Sequence, residues 1–123
     1  MRKASVGTFA TLAMLLLLSG CPGPIYESAR LKAVAAEARS LAATHPIDPS
    51  KGWAEVPWHE WPPAIASLRP AMVILHAHNV LIFIVPFFDG GWGYEIPLGE
   101  AQPGMPLECY EQPYQGVFWH GPC

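Results

Sequence analysis

The chain predicts an α+β fold, with an N-terminal helix packed on a small antiparallel sheet of four to five strands. Three stretches carry that expectation. Residues 26–43 repeat apolar side chains at helical spacing. Residues 71–85 form an apolar run rich in Val and Ile, fenced by Pro70 and Pro86 and broken at its centre by His76, His78 and Asn79. After Gly90-Gly91, short aromatic and β-branched segments alternate with Gly and Pro, as strands joined by turns do.

Taken in order, Leu31, Val34, Ala35, Ala38, Leu41 and Ala42 lie on one face of the first helix, while Arg30, Lys32, Glu37 and Arg39 fall largely elsewhere. The alanines favour helix, and His45-Pro46 ends it because the residue before proline avoids the α conformation. Residues 47–52 are a turn-rich linker marked by Asp48-Pro49 and Lys51-Gly52. A Trp- and Pro-rich segment, 53–63, follows, and residues 64–68 suit a short second helix with proline in its first turn.

The apolar run then divides into strands near 72–75 and 80–85, with His76-Ala77-His78-Asn79 as the hairpin turn. Both faces of 80–85 are apolar, so this strand should be central, with the first helix over it. Residues 92–98 read as a third strand, with Pro97 marking an end or an edge. Residues 107–110 and 116–120 read as the last two.

The N-terminus sets where such a domain would work. Arg2 and Lys3 precede an apolar segment, 6–18, that would rise only about 20 Å as a helix, short of the roughly 30 Å of a bilayer core. It reads as an export signal rather than a span. The residues Leu18-Ser19-Gly20-Cys21 that close it resemble the lipobox of bacterial lipoproteins: aliphatic, small, small, Cys. The resemblance implies cleavage before Cys21, diacylglycerol on its thiol, and an acyl chain such as palmitate on the new amine. Residues 1–20 would then be lost, 21–25 would form a lipidated spacer, and 26–123 a single domain. Pro22, where an Asp would mark inner-membrane retention, points to the outer membrane facing the periplasm. An ordinary signal peptide with an incidental Cys, or an uncleaved N-terminal anchor, is the competing reading.

A mature chain starting at Cys21 keeps five basic residues (Arg30, Lys32, Arg39, Lys51, Arg69) against ten acidic ones, a formal charge of −5. That argues against nucleic acid and against a polybasic membrane surface, so the lipid would be the anchor. Cys109 and Cys123 remain as a pair in an oxidising compartment and are expected to be bridged. Free thiols, or a metal held beside His120, are the alternatives.

The spacing Trp61-Pro62-(x2)-Ile65-(x2)-Leu68-(x)-Pro70-(x2)-Val73, with Gly116-Val117-Phe118-Trp119 near the end, looks like a group of small bacterial proteins without an assigned activity. The likeness spans about residues 53–121. It implies the fold and supplies no catalytic residues.

No segment spells out a reaction. His76 and His78 have the i, i+2 spacing of strand metal ligands, with Asp89, His120 or His59 as a third; at a hairpin turn, however, such side chains point to water. His59 beside Glu55 and Glu60 is an acid–base pair on paper only, and no serine has the setting of an activated nucleophile. No cofactor is expected beyond the lipid on Cys21. Trp61, Trp92 and Trp119 are expected in the core. Trp53, Trp58, Phe87, Phe88 and Trp92 are the candidates for a ligand or partner surface. The expected role is therefore a non-enzymatic envelope lipoprotein that binds or scaffolds an envelope partner. An inhibitor or ligand-binding module using the Trp/Pro segment is second, and a metal-dependent protein using His76 and His78 is third.

Overall fold

A computed structural model describes residues 22–88 and 90–123. The lipobox, Cys21 and Asp89 lie outside the described residues. The fold is α+β: helix α1 (Ser28–Thr44), a five-residue helix α2 (Pro63–Ser67) and one six-stranded antiparallel sheet. No described helix is long and apolar enough to cross a membrane.

The strands are β1 (Trp53–Glu55), β2 (Met72–His76), β3 (Asn79–Val85), β4 (Trp92–Pro97), β5 (Tyr110–Tyr114) and β6 (Val117–His120), in the spatial order β1-β2-β3-β4-β6-β5. Six strands replace the four to five expected. The additional one is β1, whose three residues follow Gly52 and precede Pro57, too few for any alternation to show. The strand expected at 107–110 is instead a 3₁₀ turn, Leu107–Cys109, and β5 begins at Tyr110 and continues past Pro113. Proline is tolerated there because β5 is an edge strand whose register shifts between Glu111 and Tyr114, so no ladder bond need be donated.

α1 buries Leu31, Val34, Ala35, Ala38 and Leu41 against Val73, Leu75, Val80, Ile82, Tyr94, Ile96, Val117 and Trp119. These sheet residues share one face, as the pairs Val73↔Ile82 and Tyr94↔Trp119 require. Two alanines in the buried helix stripe, Ala35 and Ala38, let its backbone approach the sheet closely. The C-terminus of α1 stops at His45, whose N–H bonds the Leu41 carbonyl at 2.9 Å before Pro46.

Arg30 and Glu37, expected away from the core face, hold α2 in place. The Glu37 carboxylate accepts the N–H groups of Ala64 (2.9 Å) and Ile65 (2.8 Å) at the start of α2. At its other end Arg30 donates to Ser67 Oγ (3.1 Å) and to the Ser67 carbonyl (2.8 Å). A helix of one turn leaves most of its terminal donors and acceptors unpaired, and α1 supplies partners of the right sign at both ends.

The bridge Cys109–Cys123 is formed, joining the residue before β5 to the chain end after β6. The turn between these strands, Gln115-Gly116, needs the glycine, which sits at φ +77°.

Candidate functional site

Alternation places a second set of side chains on the face opposite α1. Cross-strand pairs define it in rows: Trp53–His76–Asn79–Pro97, then Glu55–Ile74–Leu81–Glu95–Phe118, then Met72–Phe83–Gly93–His120–Tyr110. Among the described residues no helix covers this face. The connection from β4 to β5 does so in part, because both strands run antiparallel to β6 and the chain must cross back over the sheet.

Glu95 fastens that crossover. It is only 3% exposed, one of the two polar or charged side chains buried among the described residues. Its carboxylate accepts Gly104 N–H at 2.7 Å and Tyr110 O–H at 2.7 Å, with the Asn79 amide at 3.2 Å. Tyr110 in turn accepts Met105 N–H at 3.0 Å. Burial, and after it the bond to Glu95, pushes the Tyr110 hydroxyl up to about 12. Held this way, the crossover lies over the β4–β6–β5 half and leaves the β1–β2–β3 half open.

The open half is a cleft. One part, of about 470 Å³, is lined by His76, His78, Asn79, Leu81, Gln102 and Gly104, among others. The adjoining part, of about 250 Å³, is floored by Trp53, Ile74, Leu81 and Phe83, with His76 again at its rim. His76 and Leu81 belong to both, so the two form one depression. It has an apolar floor at the Trp53–Phe83 side. Hydrogen-bonding groups gather at the hairpin end: the His76 and His78 imidazoles and the Asn79 and Gln102 amides. Such a surface suits the capture of an apolar group whose polar end is read by imidazole and amide.

The structure divides the side chains proposed from sequence as a partner surface. Trp53, 40% exposed, forms one wall of the cleft, with Lys51 Nζ 5.6 Å from its ring centre. Trp58, 75% exposed, lines a separate hollow of about 320 Å³ with Glu55, Val56, Pro57, Trp61 and Ala71. Phe87 and Phe88 stack edge to face at 5.7 Å, and Phe87 meets Trp92 at 5.9 Å, at the far end of β3 and β4 from His76. These are three surfaces rather than one. Of the tryptophans expected in the core, Trp119 is buried, while Trp61 and Trp92 are half-buried against it.

His76 and His78 line the same cleft, but among the described residues no three His, Cys, Asp or Glu side chains converge as metal ligands. His120 pairs opposite Gly93, at the other end of the sheet, and its Nδ1 lies 3.2 Å from the Gly121 carbonyl. Glu60, next to His59 in the sequence, faces His45 Nε2 at 3.4 Å.

Glu95, Asn79 and Gln102 did not stand out in the sequence. For Glu95 a signal existed, since it is the single charge within an otherwise uncharged strand, Trp92–Pro97. Gln102 carried none, because its place follows from the crossover. Comparison of the chain with protein-family models, curated proteins and solved structures gives no match.

Proposed function

We propose that this chain is an envelope lipoprotein, anchored through lipid on Cys21 and working by binding rather than catalysis. Its lipid would hold it to the outer membrane with the domain in the periplasm. The occupant of the cleft would be an apolar side chain or short apolar segment of an envelope protein, set against Trp53, Ile74, Leu81 and Phe83, with His76 and Asn79 reading its polar edge. The observation that carries the binding reading is the uncovered half of the sheet, where Leu81 and Phe83 of a central strand face a cleft instead of a second layer. Layered domains bury both apolar faces of such a strand unless one is kept for a partner. The anchor is supported by Leu18-Ser19-Gly20-Cys21. Two or three acyl chains, each adding about 0.8 kcal/mol per buried CH₂, are enough for stable attachment.

Photocrosslinking in intact cells from a probe at position 81, with one at the exposed Lys32 as control, tests the binding half. A discrete protein adduct from 81 alone is expected; identical patterns from both sites would refute it. Mass spectrometry of the N-terminus tests the anchor, which an intact Met1 or an unmodified thiol at Cys21 would rule out. The exposed Trp58 and its hollow with Trp61 and Ala71 support a second reading, an inhibitor-like contact through the Trp/Pro segment. A probe at position 58 that crosslinks while 81 stays silent would favour it.

A further inference from the structure

We propose that the tip of the β3–β4 hairpin, Phe87 and Phe88, is a membrane-docking surface that sets the orientation of the domain on the bilayer. The proposal rests on the lipid anchor at Cys21 and adds to it a second point of contact.

Three observations converge on this end of the molecule. Phe88 is 97% exposed and Phe87 56% exposed; the two rings pack edge to face on each other, and Phe87 also meets Trp92. A monomer has no reason within its own core to hold two phenylalanines in water, side by side. The start of the described chain lies at the same end. Ile25 N–H bonds the Tyr94 hydroxyl at 2.9 Å, and Gly23 and Ile25 line a small cavity of about 140 Å³ with Ile84, Tyr94 and Trp119. Ile84 is three residues before Phe87, and Tyr94 two after Trp92. Only Pro22 separates Gly23 from Cys21, so chain length keeps the Cys21 Cα within about 7 Å of Gly23, and its sulfur within about 10 Å. Finally, both segments are poor in charge: residues 22–26 carry none and 83–94 carry only Asp89.

A lipid fixed within that reach brings the bilayer surface to the hairpin end rather than to the His76–Asn79 end. Aromatic side chains partition into the headgroup–acyl boundary, where an interfacial element sinks roughly 5–10 Å. The occupant is therefore the bilayer itself. Docking there would turn the Ala77-His78 end of the cleft away from the membrane, open to a periplasmic partner.

The test uses the full lipidated protein, reconstituted in phosphatidylcholine vesicles. A Phe88→Cys variant carries an environment-sensitive fluorophore on its sulfur; the bridge Cys109–Cys123 and the thioether at Cys21 leave no competing thiol. A Gln102→Cys variant, at the opposite end, is the control. Emission from position 88 is expected to shift to the blue and to be quenched by doxyl-labelled lipid, while position 102 reports water. Equal, water-like emission from both positions, with diacylglycerol on Cys21 verified by mass spectrometry, overturns the docking surface and leaves the anchor standing. A label at 88 shielded from aqueous iodide but untouched by doxyl lipid overturns it too, in favour of a protein contact. An unmodified Cys21 removes the anchor and the docking surface together.

Discussion

Replacing Glu95 by alanine should release the crossover that closes half of the sheet. The carboxylate is 3% exposed and takes hydrogen bonds from Gly104 N–H, Tyr110 O–H and Asn79. A hydrogen bond to a charged group contributes about 1.5–3 kcal/mol. Asn79 borders the cleft, so water can replace its bond; the other two anchor the crossover and β5 directly. Two such bonds give about 3–6 kcal/mol, and relief of the desolvation that the buried carboxylate bears offsets part of it. A net loss near 3 kcal/mol follows, or roughly 12–24 °C in Tm for a domain of this size. Glu95→Gln should lose only about 1 kcal/mol, because its carbonyl still accepts from Gly104 and its amide donates to the Tyr110 oxygen.

Denaturant melts measure the two losses. Hydrogen exchange at the Gly104 and Met105 amides shows where they arise. Both amides should exchange faster in the alanine variant well before the α1 core opens, since the crossover is attached by these bonds and not by the helix. A loss below about 1 kcal/mol for alanine, or equal losses for alanine and glutamine, would refute the argument that the carboxylate holds the crossover.

Opening the Cys109–Cys123 bridge, as a double serine variant, should lower stability by about 3 kcal/mol, read as a shifted denaturant midpoint, because the bridge closes a loop of sequence separation 14. Glu37→Ala removes the acceptor for two α2 amides and should destabilise by about 1–2 kcal/mol, with Glu37→Gln intermediate, in the same assay. Stability should also fall between pH 10 and 12. The fold favours the neutral Tyr110 hydroxyl, held up at about 12 by burial and its bond to Glu95, whereas the unfolded chain ionises from about 10. Its contribution is therefore complete below pH 10 and lost as pH rises through 12. Tyr110→Phe should flatten that fall without abolishing it, because burial also raises Tyr94 and the bond to Glu111 raises Tyr26.

What the sequence shows of this fold tracks how local each determinant is. α1 was legible because its periodic face and its stop at His45-Pro46 lie within one segment. The β2–β3 hairpin was legible because Pro70 and Pro86 bound it and polar residues mark its turn. β1 was not, since three residues become a strand only because β2 offers an edge with Leu75 opposite Ala54. The true span of β5, expected at 107–110, was hidden for a related reason: whether Pro113 is admissible in it depends on the strand being at the edge, which is a property of the whole sheet. Arg30 and Glu37 looked like solvated charges on α1, and only the return of the chain at Pro63 gives them a helix to cap.

The cleft is the furthest from legible, for it is defined by where the described chain does not pass. Twelve residues, 98–109, must return from the end of β4 to the start of β5. That path runs about 20 Å back along the strand and about 10 Å across β6. Pinning Gly104 to Glu95 keeps this segment above β4. Among the described residues nothing else covers this face of β1, β2 and β3, while α1 is committed to the other face. The open floor of Trp53, Leu81 and Phe83 is thus a consequence of strand order. Inserting β6 between β4 and β5 both creates the crossover that buries Glu95 and fixes how much of the sheet that crossover can reach.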